Sequence, residues 1–359
     1  MKILFSLCSW GLGHATRSLP ILRRLVKDSH EVIIYTSGRS LALLQSELKD
    51  GARFVASVPY PSPYSDKIGF AFRFLKTAPK IMKVIKEENL EIDKMIKENK
   101  VDLIISDSRF GSYSRVVPSY LIFHQLRFIA PLRLAPAEMV TEFYNHNLQS
   151  KFEKIIVPDY DYAENSLSGD LSHNLRYFKP EKVEYIGILS DFESLDVKQD
   201  FDYLFSISGP EPTRTILEEK LFSQLPLLNG SKIAVALGKP GKFTKEVVGN
   251  TVIYSYLEKA RRDELMNRTK IVVSRSGYTT IMDVAEINRN ALFIPTPGQT
   301  EQVYLANHLE KVGFFHSVKQ RKLKLDIDAK EALKFKGFVP PWKTNESVER
   351  FLKAVRIKD

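Results

Sequence analysis

Short apolar runs that end on turn residues alternate with longer segments of 3.6-residue period along most of the chain. This is the pattern of parallel strands joined by crossover helices. A strand covered on both faces reads as a continuous apolar run, while the helix that covers it is apolar along one stripe only. In the first half the pattern predicts strands over Lys2–Leu7, Glu31–Tyr35, Arg53–Ala56, Asp102–Ser106, Tyr120–His124 and Lys154–Val157. Between them, Leu19, Leu22, Leu25 and Val26 form one helical stripe, and Ile81, Ile85, Ile92 and Ile96 another. The pattern restarts with Tyr203–Ser206, Lys232–Ala236, Thr251–Tyr254, Lys270–Val273 and Ala291–Ile294. Two series predict two α/β domains, 1–188 and 200–340. The acidic, strand-free stretch around 189–199 reads as a linker, and 341–359 holds a last helix, about Asn345–Val355, after the breaker Pro340-Pro341.

Length agrees with this division, since 359 residues exceed one ordinary core and suit two. The single cysteine, Cys8, excludes an internal disulfide framework and a cysteine-based metal site. The longest apolar region, Ser119–Val140, is interrupted by His124, Gln125, Arg127 and Arg133, so no membrane span is expected. Gly11 and Gly13 come too early for a signal-peptide core, and a cytoplasmic location is expected. Lys and Arg number 53 against 43 acidic residues, a formal charge of +10. No nucleic-acid motif accompanies that charge, so no nucleic-acid partner is expected.

Four loops at the predicted carboxyl ends of strands carry candidate chemistry. The first is Cys8-Ser9-Trp10-Gly11-Leu12-Gly13-His14-Ala15-Thr16-Arg17, between the first strand and the first helix. Its glycines permit a tight turn and close approach of a ligand, but the third glycine of the dinucleotide fingerprint is missing. A nicotinamide dehydrogenase is therefore disfavoured. His14 is placed to act as a base, and helix capping is its alternative. The second is Ser274-Arg275-Ser276-Gly277-Tyr278-Thr279-Thr280, which opens a helix carrying Asp283. Small hydroxylated residues and a glycine at a helix start suit a diphosphate, and Asp283 suits a pair of ribose hydroxyls; plain capping explains the same residues. The third is Pro295-Thr296-Pro297-Gly298-Gln299-Thr300-Glu301-Gln302, polar and stiffened by proline, after the next strand. The fourth is Ser208-Gly209-Pro210-Glu211-Pro212-Thr213-Arg214, where Arg214 is placed to pair a phosphate. Asp159-Tyr160-Asp161 matches a metal-binding Asp-x-Asp by its letters alone, and no essential metal or other cofactor is expected.

The early Gly-x-Gly-His loop, Ser274-Arg275-Ser276-Gly277, Asp283 and Gln299 to Gln302 together resemble the GT-B nucleotide-sugar glycosyltransferases, nearest the bacterial peptidoglycan N-acetylglucosaminyltransferase of the MurG type and its archaeal relatives. The motifs are dense only over about 270–313. The resemblance implies two Rossmann-like domains facing across an interdomain cleft, an acceptor-binding first domain and a donor-binding second one, with the last helix crossing back to the first. It implies that Ser274, Ser276, Gly277, Tyr278 and Thr279 hold the donor diphosphate, with Ser208, Gly209 and Arg214 on its other side. Asp283 would take the ribose, Gln299, Thr300, Glu301 and Gln302 the sugar, and Tyr256 and Leu257 the base. His14 would be the general base of an inverting, metal-independent transfer, Asp107 its orienting partner, and Gly11, Gly13, Arg17 and His124 would face the acceptor. This chain has one glycine fewer before His14 than the family pattern and an aspartate where the family has glutamate.

The implied donor is a UDP-sugar, carrying an N-acetylhexosamine or a hexose, and the implied acceptor a hydroxyl of a lipid-linked or other glycan. From Lys67 to Lys86 six basic residues (Lys67, Arg73, Lys76, Lys80, Lys83, Lys86) are interleaved with Phe70, Phe72, Phe74 and Leu75 and with no acidic residue. Such a segment suits the anionic surface of a membrane, making the protein peripheral, and equally suits a solvated helix over a core. An epimerase or hydrolase of nucleotide sugars and a non-catalytic nucleotide-sugar sensor are the rival readings on the same fold.

Overall fold

The computed structural model describes residues 1–60, 70–130, 133–162, 166–239 and 241–357, the side chains of 70–78 excepted. The chain divides into two compact units, Met1–Asp191 with Trp342–Asp359, and Phe192–Pro341.

In the first unit the strands and helices alternate as β1 (Lys2–Leu7), α1 (Gly13–Lys27), β2 (Glu31–Thr36), α2 (Gly38–Leu48), β3 (Arg53–Ala56), α3 (Phe70–Asn99), β4 (Leu103–Asp107), β5 (Ser119–Ile122), α4 (Ala135–Gln149), β6 (Lys154–Val157) and β7 (Val183–Tyr185). All seven strands are parallel, in the order β3-β2-β1-β4-β5-β6-β7. Side chains alternate across the sheet, so Ile3, Phe5 and Leu7 enter the core on one face and Leu4 the core on the other. Leu19, Leu22 and Leu25 of α1 cover the first face.

The second unit contains β8 (Phe201–Ser206), α5 (Thr213–Gln224), β9 (Ile233–Ala236), β10 (Lys245–Val248), β11 (Thr251–Tyr254), α6 (Lys259–Arg268), β12 (Thr269–Ser274), α7 (Tyr278–Glu286), β13 (Asn290–Phe293), α8 (Thr300–Lys311), β14 (His316–Ser317) and α9 (Leu325–Ala332). Its sheet runs β10-β11-β9-β8-β12-β13-β14, parallel except for the hairpin strand β10. The helix after Pro340-Pro341, α10 (Thr344–Ala354), belongs to the first unit and buries Val348, Phe351 and Leu352 in the same core as α1.

Three strands escape the sequence pattern. β7 has three residues and β14 two, too few to show a period, and β10 is an exposed edge strand that begins Lys245-Glu246. The expected strand over Tyr120–His124 stops at Ile122, which leaves His124 in the loop beyond it. Among the described residues no helix is long and apolar enough to cross a membrane.

In both sheets chain order reverses beside the first strand of the unit, between β1 and β4 and between β8 and β12. Loops that leave two neighbouring strands in opposite directions open a crevice there, at the carboxyl ends of the strands, and this is where open α/β sheets bind ligands.

Cys8 follows β1 directly and is 1% exposed. Burial disfavours the thiolate and pushes its pKa up to about 11, against a partly offsetting backbone hydrogen bond from Trp10. A thiol reagent at pH 8 is therefore expected to leave Cys8 of the native protein unmodified and to label it once the chain is unfolded. Mass spectrometry after a timed alkylation distinguishes the two.

Candidate functional site

The switch point of the first sheet holds a polar cluster built on two loops. α1 starts two residues after Gly11, whose φ of +101° suits glycine, and no acidic residue lies in its first turn. His14, half-buried, is directed at the end of β4, where its Nδ1 lies 2.9 Å from Oδ1 of Asp107. Asp107 is fully buried and accepts from several groups besides: Nε of Arg17 at 2.8 Å, Nη2 of the same guanidinium, the Ser18 hydroxyl at 3.0 Å and the Ser108 hydroxyl at 3.0 Å. Burial alone would raise its pKa, but the Arg17 guanidinium and then His14 more than offset that and hold the carboxyl well below the usual range. Asp107 is an anion at any physiological pH.

The protonation pattern of the two imidazoles follows from these partners. An ionised carboxylate only accepts, so the neutral imidazole of His14 carries its proton on Nδ1 and its lone pair on Nε2. Arg17 only donates, and its Nη1 lies 3.2 Å from Nδ1 of His124, so in His124 the lone pair is on Nδ1 and the proton on Nε2. The two neutral imidazoles are therefore opposite tautomers. Arg17 and Asp107 together impose that difference.

A second buried pair backs this cluster. Arg109, fully buried, donates through Nε to Glu88 of α3 and at 2.9 Å to the Val58 carbonyl, with its guanidinium over the rings of Tyr35 and Tyr60. Gly111 fits against this pair only because it lacks a Cβ, which would lie 2.4 Å from the Ile85 carbonyl oxygen. The loop that follows Asp107 is thus fixed to α3.

By resemblance Arg17 is expected to face the acceptor. Arg17 is 1% exposed, and its guanidinium is bonded to Asp107, Ser108 and His124, which links it to both histidines. His124 is itself 7% exposed. Of the basic segment, residues 67–69 and the side chains of 70–78 lie outside the described residues, and the membrane expectation rests mostly on them. Lys80, Lys83 and Lys86 are on the exposed face of α3.

The switch point of the second sheet gathers the loops after β8, β12 and β13. α7 is capped by Gly277, which has no side chain to offer, and carries no acidic residue in its first turn. A Cβ on Gly277 would meet only Oγ1 of Thr280 at 4.0 Å, so the approach to that helix start is open. The positive end of the helix therefore has no charge of its own to neutralise it. The Ser276 hydroxyl points away, donating at 2.8 Å to the Gln302 carbonyl, and that of Ser274 donates to the Arg275 carbonyl. Tyr278 is 3% exposed. What these residues present to a ligand is backbone.

Gln302 ties the third loop together. Its side-chain oxygen accepts from the Thr296 N–H at 2.9 Å and its amide donates to Oε1 of Gln299 at 2.6 Å. Glu301 and Thr300 lie beside them in the first turn of α8, partly exposed. Asp283 is half-buried in the second turn of α7. Tyr256 and Leu257 follow β11, with Tyr256 edge-on to Phe243 at 5.7 Å between ring centroids. Ser208 and Gly209 are exposed after β8, Gly209 with a φ of +121°.

Arg214, expected at a phosphate, is instead held at 2.6 Å by each of Glu211 and Glu218 and has its charge compensated. Arg275, in the turn between Ser274 and Ser276, has no such partner. It is 2% exposed, and burial without a nearby carboxylate pulls its pKa down to about 10, so it stays charged at neutral pH. Asp159 of the Asp-x-Asp accepts backbone N–H bonds from Tyr160, Leu167 and Ser168, so both its oxygens are engaged by the chain itself. No group of three or more histidine, cysteine or acidic side chains suited to a metal occurs among the described residues.

Each unit matches a family model of its own. The model of the glycosyltransferase family 28 C-terminal domain matches residues 217–335, and that of glycosyl transferase family 1 matches residues 1–121. The chain is similar to an uncharacterized glycosyltransferase of Methanosarcina mazei, 25% identical over 340 residues that cover 88% of this chain and 84% of that protein. In fold it is similar to MurG of Acinetobacter baumannii, with a TM-score of 0.59 and 13% identity over 98% of this chain and 100% of the other. It is similar also to the spinosyn rhamnosyltransferase SpnG, solved with thymidine diphosphate, with a TM-score of 0.60 and 13% identity over 99% and 96% of the two chains.

Proposed function

We propose that this chain, a GT-B glycosyltransferase, moves a sugar from a nucleoside diphosphate, most simply UDP, to an acceptor hydroxyl in one inverting step that uses no metal. The observation that carries the proposal is the His14–Asp107 pair at 2.9 Å, which fixes a lone pair on Nε2 of His14. In the proposed step that nitrogen takes the acceptor's proton while the oxygen attacks the anomeric carbon and the bond to the diphosphate breaks. His124, with its proton on Nε2, donates a hydrogen bond to the acceptor. The departing diphosphate gathers negative charge, and the unneutralised start of α7 stabilises it. Asp283 holds the ribose, and Tyr256 and Leu257 border the base. The presence of thymidine diphosphate in the spinosyn enzyme supports a nucleoside-diphosphate donor here. A lipid-linked acceptor fits the MurG likeness, and the sugar is a hexose or an N-acetylhexosamine.

A thermal-shift screen tests the donor half. A ligand that binds only the folded chain raises Tm, by about 2.7 kcal/mol of stability at a hundred times Kd. UDP or a UDP-sugar is expected to raise Tm equally with and without EDTA, and Asp283→Ala to weaken the shift. A chain that ignores every nucleoside diphosphate, or responds only with a divalent ion present, contradicts the reading. Release of free sugar from the donor with no acceptor at the full catalytic rate would point to a hydrolase instead.

A further inference from the structure

Three loops of the donor unit bring polar atoms to one spot over Gly209. A Cβ on Gly209 would lie 3.8 Å from Nε of Arg275 and 3.9 Å from the hydroxyl oxygens of both Thr213 and Thr296. The Thr213 hydroxyl is engaged, donating to the Pro210 carbonyl at 2.7 Å. The other two are not. Nε of Arg275 and Oγ1 of Thr296 are both buried, and neither has a hydrogen-bond partner. Thr296 is 1% exposed and Arg275 2%.

The remaining donors of Arg275 show how firmly it is aimed. Nη1 donates to the Ile294 carbonyl at 3.0 Å and to that of Pro295 at 3.3 Å, and Nη2 to the Thr213 carbonyl at 2.9 Å. Neutral carbonyls fix the plane of the guanidinium without cancelling its charge. Buried cations are ordinarily paired and buried donors ordinarily satisfied, and Arg275 departs from both rules on the side that faces Gly209. An oxygen with negative charge placed there resolves both at once. A glycine is what leaves the room for it.

We propose that Arg275 and Thr296 bind an oxygen of the donor's diphosphate over Gly209, so that a buried guanidinium, together with the start of α7, is what selects a diphosphate over an uncharged ligand. This rests on the donor reading above. It adds a charged contact from a residue placed in the turn and a hydroxyl from the neighbouring loop.

Titration calorimetry of the full chain with UDP, uridine and inorganic pyrophosphate tests it. Arg275→Met is expected to weaken UDP about a hundredfold and to abolish pyrophosphate binding, as the loss of a charge-assisted contact requires. Thr296→Val, nearly isosteric and safe for the fold, is expected to weaken UDP about tenfold. Uridine affinity should be unchanged in both. Wild-type affinity for UDP in Thr296→Val and in a folded Arg275→Met overturns the proposal and leaves the donor reading standing, the spot then holding only water. Equal losses for UDP and uridine also overturn it, by showing general damage to the site. A wild-type chain that binds neither UDP nor pyrophosphate removes the donor reading as well.

Discussion

His14→Ala is expected to lower kcat by about 10² to 10⁴, the usual worth of a positioned general base, while the KM for the donor changes little. The residues proposed to bind the donor belong to the other compact unit, so the expected loss is in turnover. Asp107→Asn is expected to lose nearly as much for a different reason. An asparagine can turn its amide toward Nδ1 of His14 and donate to it, which moves the imidazole's proton to Nε2 and removes the lone pair that the reaction needs. The double variant should be no slower than His14→Ala by more than about threefold, because the two residues act as one unit. Asp107→Asn also costs stability. The depressed pKa of Asp107 means that its contribution is complete above the unfolded carboxylate value of about 3.9 and is lost only as the pH falls from there toward the folded one. At pH 7 the variant therefore forgoes all of it and removes the carboxylate from beside the buried guanidinium of Arg17. Steady-state rates measured well below the variant's Tm separate the effects. More than about a tenth of the wild-type kcat in His14→Ala would exclude the imidazole as the base.

The sheets were legible because burial on both faces makes a parallel strand uniformly apolar, as in Ile3-Leu4-Phe5 and Ile271-Val272-Val273. The loops at their ends were legible because glycine and small polar residues interrupt those runs abruptly. What could not be read is which polar side chains the loops turn inward. Arg17 is hidden that way. The one local sign is that Arg17 and Ser18 stand between Ala15 and Leu19, on the side of α1 that its apolar stripe marks as buried. Arg275 offers no sign at all, since the carbonyls that orient it lie 19, 20 and 62 residues away in sequence. Arg214 misled for the opposite reason. Its carboxylates sit three residues before it and four after it, the spacing at which neighbours on a helix pair, and that local alternative outweighs availability to a ligand.

Removal of residues 342–359 is expected to unfold the first unit, although the segment is far in sequence from everything it touches there. Val348, Phe351, Leu352, Val355 and Ile357 are buried in the core shared with α1 and β1. At about 1.5 to 3 kcal/mol for each such side chain they contribute roughly 8 to 15 kcal/mol as an upper bound, comparable with the whole stability of a domain. The attachment is also specific. The Trp342 indole donates to the Ile186 carbonyl at 2.8 Å, Tyr160 donates to the Trp342 carbonyl at 2.6 Å, and the Ser190 N–H donates to the Thr344 hydroxyl at 3.0 Å. Gly187 makes that approach possible. Its φ is +90°, and a Cβ there would lie 2.2 Å from Nε1 of Trp342 and 2.6 Å from the Ser347 hydroxyl. Gly187→Ala thus combines backbone strain with the displacement of a docked tryptophan, together about 3 kcal/mol or more. In a unit of this size that is a fall in Tm of about 6 to 12 °C. Calorimetric melts of the full chain, of Gly187→Ala and of the truncated chain should rank in that order, with the cooperative transition of the first unit missing from the last. A truncated chain that melts as the full one does would mean that the first unit's core is complete without α10.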